Sequence, residues 1–261
     1  MIRSIYTAVS GMITQEAKQD VITNNLANAQ TIGFKSDNIE IKKFDDVLIQ
    51  NHDKIDGGKN KANIIGSLSM GSELDGTSTT FEQGALQASE KETDFAIDGQ
   101  GFFTVSRQNA LGGTQNFYTR NGNFHIDSKG ILVTNNGEAV MGRNMKTNKL
   151  EPINVGKAKI SCDSTNTISL NGKATYKFEL ADFASYNQLQ KVGDNLFGGA
   201  NPINAANASV KQNNLERSNV NVVNEVINMM TVMRSFESNQ KMIGSIDETL
   251  GKVINEVGSV R

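Results

Sequence analysis

The feature that most constrains this chain is an apolar repeat near its C-terminus. Steps of four and three from Val222 reach Val226, Met229, Met233, Phe236, Gln240, Ile243, Asp247, Leu250, Ile254 and Val257. Nine of these eleven positions are apolar, and the pattern runs over five heptads, so it reads as a coiled-coil-like seam on one long helix. A second line through Val223, Ile227 and Met230 widens the apolar face at its N-terminal half. The spacing predicts a helix over 215–258, roughly 65 Å long. Such a helix needs cover along its whole length, and the chain has little to offer. The other helical stretch starts with Ile2, Ile5, Val9 and Met12 and drifts to Ile13, Ala17, Val21 and Leu26. It predicts a helix over only 3–28, ended by an asparagine-rich turn and by Gly33, a natural left-handed stop. Two terminal helices of this kind are expected to fray alone and to order in company.

Two polar residues interrupt the seam. Gln240 and Asp247 either fix register, the usual role of a buried polar seam residue, or face solvent where the stripe weakens. The methionines at 229, 230, 233 and 242 follow helical spacing and read as adaptable packing, not as a cofactor box.

Between the helices the pattern changes. Residues 98–142 are rich in glycine, and short apolar runs alternate with turn dipeptides. Phe102–Val105, Phe117–Thr119, Phe124–Ile126 and Ile131–Val133 read as strands, with further candidates at 158–162, 167–170 and 174–181. Asn121-Gly122, Asn136-Gly137 and Asn171-Gly172 are preferred tight hairpin turns, and Asp127-Ser128-Lys129-Gly130 is a fourth turn. The stretch 45–75, with its polar run at 56–61, reads as irregular. The fold class expected is therefore α+β: a discontinuous, coiled-coil-like helical domain from both chain ends and a central antiparallel β domain. The divisions are 1–35 with 212–261 for the helices, 36–74 for a linker or extended arm, and 75–211 for the β-rich part.

Several functions are disfavoured by composition. With 26 basic and 28 acidic side chains the formal charge is −2, which leaves no electrostatic footprint for nucleic acid or an anionic membrane. The single cysteine, Cys162, permits neither an internal disulfide nor a multi-cysteine metal site, and it reads as a strand residue. No apolar run approaches the roughly 20 residues that span a bilayer, and the first residues lack the apolar core of a secretory leader. His52 and His125 lie far apart with no carboxylate constellation around them, so no metal is expected. Gly99-Gln100-Gly101 lacks the third glycine of a phosphate loop and leads into a Phe-Phe strand, so it reads as a tight strand start. Glu90, Glu92 and Asp94 read as a solvated loop. No catalytic residue and no cofactor is expected.

Four blocks carry a family resemblance. Residues 20–35, from Asp20 through Asn24-Asn25-Leu26-Ala27-Asn28 to Gly33-Phe34-Lys35, resemble the N-terminal signature of the flagellar rod and hook proteins, the axial proteins of the bacterial flagellum. Ala96–Phe103 and Tyr118–Phe124, followed by Gly130–Val133 and Gly137, resemble the family's central segment. Leu215–Asn221 and Arg234–Lys241 resemble its C-terminal signature. The blocks stand in the family's order and span nearly the whole chain, and the length is similar to that of the rod members. There are departures: Asn213-Asn214 stands where the family usually has a glycine, Ser235 where it commonly has alanine, and 143–212 matches little.

The resemblance implies a tube with the terminal helices around a central channel and the β domain outside. It also implies export through the flagellar type III apparatus without a cleaved leader. The partners implied are identical subunits and other rod and hook proteins, with a bushing ring or peptidoglycan as surroundings. From the residues alone, the asparagine cluster is a polar helix end whose amides bond local backbone. The resemblance assigns it to subunit contacts instead. Together with the seam this makes the candidate assembly interface Asn24, Asn25, Leu26, Asn28, Gly33, Phe34, Asn219, Val222, Val226, Met229, Met233, Phe236, Asn239, Ile243 and Leu250. The competing reading is a soluble β-domain module for cell-wall glycan with a coiled-coil oligomerisation tail.

Overall fold

The computed structural model describes residues 2–51, 63–108, 113–193, 195–205 and 208–257. The polar run at 56–61, His52, position 258 and the side chains of the seam ends Ile2 and Val257 lie outside what it describes. The described chain divides into two compact units. One holds the terminal helices with residues 37–78; the other holds 27–36 and 79–221.

In the helical unit α1 spans Ile2–Ala27 and α2 spans Val222–Lys252, which continues as a π-helical turn over Val253–Val257. The start of α2 lies later than the periodicity suggests. Leu215 and Glu216 belong instead to a strand, Asn214–Glu216, that pairs with Leu86–Ala88. Backbone groups committed to that ladder cannot also make helical bonds. The segment expected to be an irregular arm carries four strands: β1 (Asp37–Lys43), β2 (Val47–Asn51), β3 (Asn63–Leu68) and β4 (Ser72–Thr79). β1 pairs with β4, and β2 pairs with β3 in antiparallel register. Charged and polar residues mask β1 and β4 in the sequence, whereas β2 and β3 carry short apolar runs whose Val47, Leu48, Ile64 and Ile65 stand exposed on a two-stranded ribbon, with no alternating buried face to mark them.

Side-chain hydroxyls tie α1 to the loop before β4. Thr7 Oγ1 donates to the Met70 carbonyl at 3.2 Å, and Ser72 N donates to Ser10 Oγ at 3.4 Å. Gly71 lies between them at φ +135°, where a Cβ would stand 2.1 Å from Ser10 Oγ, so no larger residue fits. α1 and α2 touch at Gly11, whose added Cβ would lie 3.2 Å from Asn239 Nδ2.

The β unit is built on a thirteen-stranded sheet. Its main path runs Ile160–Cys162, Thr167–Leu170, Lys173–Phe178, Ala139–Asn144, Phe102–Gln108, Thr114–Thr119, Leu196–Gly198 and Gln190–Gly193. Its pairings are antiparallel. Successive side chains on a strand point to opposite faces. Here both faces are apolar: Phe103, Phe117, Leu180 and Leu196 enter the larger core, while their neighbours Phe102, Tyr118, Ala181 and Phe197 enter a second cluster. That is why the runs read as consecutive aromatics and not as strict alternation. In the larger core Phe103 meets Phe124 and Phe178 edge-on or tilted, at centroid distances of 5.2 and 5.5 Å.

Three expected turns form. Asn136-Gly137 closes the Leu132–Thr134 and Ala139–Asn144 hairpin with Gly137 at φ +90°. Asn171-Gly172 joins Thr167–Leu170 to Lys173–Phe178 with both residues left-handed. The 127–130 turn joins Phe124–Ile126 to Leu132–Thr134. Asn121-Gly122 is different. Thr114–Thr119 pairs with Phe102–Gln108 and Leu196–Gly198, not with Phe124–Ile126, so the dipeptide makes no hairpin. Gly122 is needed for space: a Cβ there would lie 1.6 Å from the Phe95 carbonyl oxygen.

Candidate assembly interface and its buried root

The predicted interface residues separate into two groups. Asn25, Gly33, Phe34 and Asn219 are engaged within the chain. Asn25, buried on α1, exchanges two hydrogen bonds with the Asp37 backbone, at 2.8 and 3.0 Å. Gly33, at φ +68°, donates its N–H to the Glu216 carbonyl at 2.8 Å. Phe34 is buried with Lys191 Nζ 4.2 Å from its ring centroid. Asn219 Oδ1 accepts from Ser36 N at 2.8 Å while its Nδ2 donates to the Thr80 carbonyl at 2.8 Å. Gly33 and Asn219 thus staple the segment leaving α1 to the segment entering α2, while Asn25 ties the end of α1 to the start of β1 and the Phe34 ring packs at Lys191.

Beneath those staples lies an ionic cluster that sequence reasoning missed. Lys35 Nζ donates to Glu216 Oε1 and to the Glu82 carbonyl, each at 2.6 Å, with both charged side chains fully buried. Glu216 Oε1 also accepts from Gly84 N at 2.9 Å, and Oε2 accepts from Arg120 Nη1 at 3.3 Å. Arg120 Nη2 donates to the Gly99 carbonyl at 2.9 Å, and its guanidinium stands 5.3 Å from the Phe102 ring centroid. Burial holds the Lys35 ammonium below its usual range; Glu216 opposes that lowering and Arg120 adds to it. Buried ion pairs of this kind give little net stability, but removing one partner is costly because a bare charge is left behind.

The second group is solvent-exposed to differing degrees, and Asn28 also accepts within its own turn from Thr31 Oγ1 at 3.1 Å. Val232 is the one buried side chain among the described residues of α2. Met229, Phe236, Asn239, Ile243 and Leu250 are half-buried, as are Leu26 and Asn28, whereas Asn24 is exposed. Val222, Val226 and Met233, three members of the proposed seam, face outward at 47, 41 and 43 % exposure, beside Val223, Ile227 and Met230. Gln240 and Asp247 are also exposed. A strict seven-residue seam drifts about 20° per heptad around a straight α-helix. Drift is not what opens the stripe here: the line Met229, Phe236, Ile243 and Leu250 stays half-buried throughout, and the line Val226, Met233, Gln240, Asp247 and Ile254 stays exposed throughout, so one edge of the expected seam turns toward its own chain and the other away from it.

Burial, with Asp163 beside it, pushes the Cys162 thiol up to about 12, which leaves it protonated near neutrality. Among the described residues no group of three or more His, Cys, Asp and Glu could hold a metal ion. The 90–94 stretch is not wholly solvated: Asp94 is buried and accepts from Ser89 Oγ at 2.5 Å, while Glu90 and Glu92 are exposed.

Family comparisons match the same parts of the chain. The model of the flagella basal body rod protein matches residues 5–35, that of the flagellar hook protein FlgE/F/G D1 domain matches 96–176, and that of the flagellar basal body rod FlgEFG protein C-terminal region matches 211–256. The flagellar basal-body rod protein FlgG of Bacillus subtilis is 33 % identical over 98 % of this chain and 99 % of its own length. This chain belongs to the flagellar rod and hook protein family. FlgG of Borreliella burgdorferi is 32 % identical, covering 96 % of this chain and 97 % of its own. The flagellar hook-basal body complex protein FlhO of Bacillus subtilis is 28 % identical, with full coverage of both. The rod and hook family is structural, not enzymatic, and the comparisons give no support to a glycan-binding module. The family's usual glycine ahead of its C-terminal block has a physical counterpart here. Asn213 takes φ +56°, the left-handed region that asparagine tolerates best after glycine.

Proposed function

We propose that this chain is a structural subunit of the flagellar basal-body rod, at the distal position, polymerising through its terminal helices into a hollow axial shaft. The observation that carries the reading is the open apolar stripe of α2: Val223, Ile227 and Met230 stand 66, 55 and 48 % exposed on a helix with one buried side chain. A contiguous apolar stripe of that kind marks a surface that another molecule covers. Full-length similarity to basal-body rod proteins supports copies of this chain and related rod and hook proteins as the cover. Head-to-tail, heterologous contacts would make an open helical array. The contact set is Val222, Val226 and Met233 on the open face, flanked by Met229, Phe236, Asn239, Ile243 and Leu250, with Asn24, Leu26 and Asn28 at the end of α1. The subunit then works outside the cytoplasm, within the periplasm or cell-wall zone, beside a bushing ring or peptidoglycan. It reaches that place through the flagellar export apparatus. Imaging a tagged copy in isolated basal bodies tests the placement. Label confined to the distal rod is expected, and label absent from the axial structure would overturn it.

A further inference from the structure

We infer that the Lys35–Glu216–Arg120 cluster is a latch that makes the segment leading out of α1 and the segment leading into α2 a single cooperative element, held or released together. The three side chains come from parts of the chain 181 and 96 residues apart from Glu216. Two cations meet one carboxylate, and Glu216 touches both. If 214–216 left its ladder alone, Lys35 and Arg120 would share a dry site with no anion between them, so Lys35 must leave its place as well.

The backbone follows the same logic. Gly33 N donates to the Glu216 carbonyl, Gly84 N donates to the Glu216 carboxylate, and Arg217 N donates to the Ala85 carbonyl at 2.9 Å. Two segments thus hang on Glu216, and its neighbour Arg217 ties the second of them again. Packing gives no slack, since a Cβ on Gly84 would stand 2.0 Å from the Arg217 carbonyl oxygen. In a rod subunit, a consequence that rests on the function proposed above, both segments would be set in place together before the helices meet their neighbours.

Native-state hydrogen exchange on the full-length, unassembled chain tests the latch independently of the rod assignment. In the wild type, the amides of Gly33, Gly84 and Arg217 are expected to exchange with one common opening rate and one denaturant dependence. E216Q, which raises the cluster from one net positive charge to two, is expected to speed all three on the order of 100-fold. The paired core amides of Val105 and Phe117 should stay unchanged. K35M/E216Q returns the cluster to one net charge and should slow the three amides back toward the wild type. Unrelated rates in the wild type, release of one segment alone in E216Q, or a double variant no slower than E216Q would each overturn the latch. If E216Q does not fold, the wild-type rates decide by themselves.

Discussion

Met233→Asp separates assembly from folding with one side chain. Met233 is 43 % exposed, so an aspartate there finds water without disturbing the core of the single chain. Lower helix propensity and the lost partial contact should cost the isolated subunit about 0.5–1 kcal/mol. In a closed contact the balance changes. Burying a methionine side chain fully stabilises by about 1.5–3 kcal/mol, and the open 43 % accounts for about 1 kcal/mol of that. Desolvating an unpaired carboxylate adds several kcal/mol against assembly. A loss of about 3–4 kcal/mol per contact raises the concentration needed for polymerisation by more than about 100-fold. Thermal unfolding of the purified variant should therefore match the parent within a few degrees, while cells carrying it lack rods and do not swim. The neighbouring residue is the control. Val232 is 2 % exposed, so Val232→Asp should loosen α2 in the isolated chain itself, by at least about 3 kcal/mol. Normal rods and swimming with Met233→Asp would refute the assignment of this face, as would an unfolding curve as damaged as that of Val232→Asp.

Two further perturbations probe the β unit. Gly122→Ala places a methyl 1.6 Å from the carbonyl oxygen of fully buried Phe95, and should destabilise by about 3 kcal/mol or more in denaturant titration. Gly113→Ala, in the same unit and meeting nothing within 4 Å, should be near neutral, and equal effects would show that Gly122 is not held by space. Glu138 sets an acid limit. Burial pushes its carboxyl up, but the Thr134 hydroxyl, Arg107 and its own N–H outweigh that, and the folded group titrates below its ordinary 4.5. Its contribution to stability is therefore complete above pH 4.5 and fades as pH falls through the lower folded value. Glu138→Gln should be the less stable protein at neutral pH and should converge with the parent in acid; a gap that stays constant down to pH 2 would contradict this.

The parts of the fold legible in the sequence are those written in local periodicity. A 3.6-residue apolar rhythm placed α1 within a residue of its observed ends. β-branched and aromatic runs bounded by Asn-Gly placed the central strands and two of the three dipeptide turns. Where local and long-range demands compete, the local signal misleads. Leu215 and Glu216 continue the apolar rhythm into α2 on paper, yet their backbone pairs with Leu86–Ala88 across more than a hundred residues. Asn121-Gly122 has hairpin chemistry, yet the following strand finds its partner on the other side, at Leu132–Thr134. The seam shows a subtler limit: composition revealed that α2 carries too much apolar surface, but not which half of it its own chain would cover.

The buried root was illegible for a different reason. Lys35, Arg120 and Glu216 each stand in a polar stretch, where a charge most often belongs to a solvated face. Only the fold shows that Lys35 and Glu216 have no exposure and that one carboxylate answers two cations. A chain selected for stability alone has little reason to keep such a cluster, because apolar residues of similar volume do as well or better. Ionic partners differ from apolar ones in tolerating no substitute position. A leucine can slide along a core, whereas Glu216 must meet Lys35, Arg120 and Gly84 at once or leave charges bare. The chain therefore places its strictest contacts where its two terminal segments run together, and leaves open the adaptable Met- and Val-rich surface of α2. Rigid definition within the subunit and unsatisfied apolar surface on the helix are complementary requirements for a part that must be identical in every copy and incomplete in each.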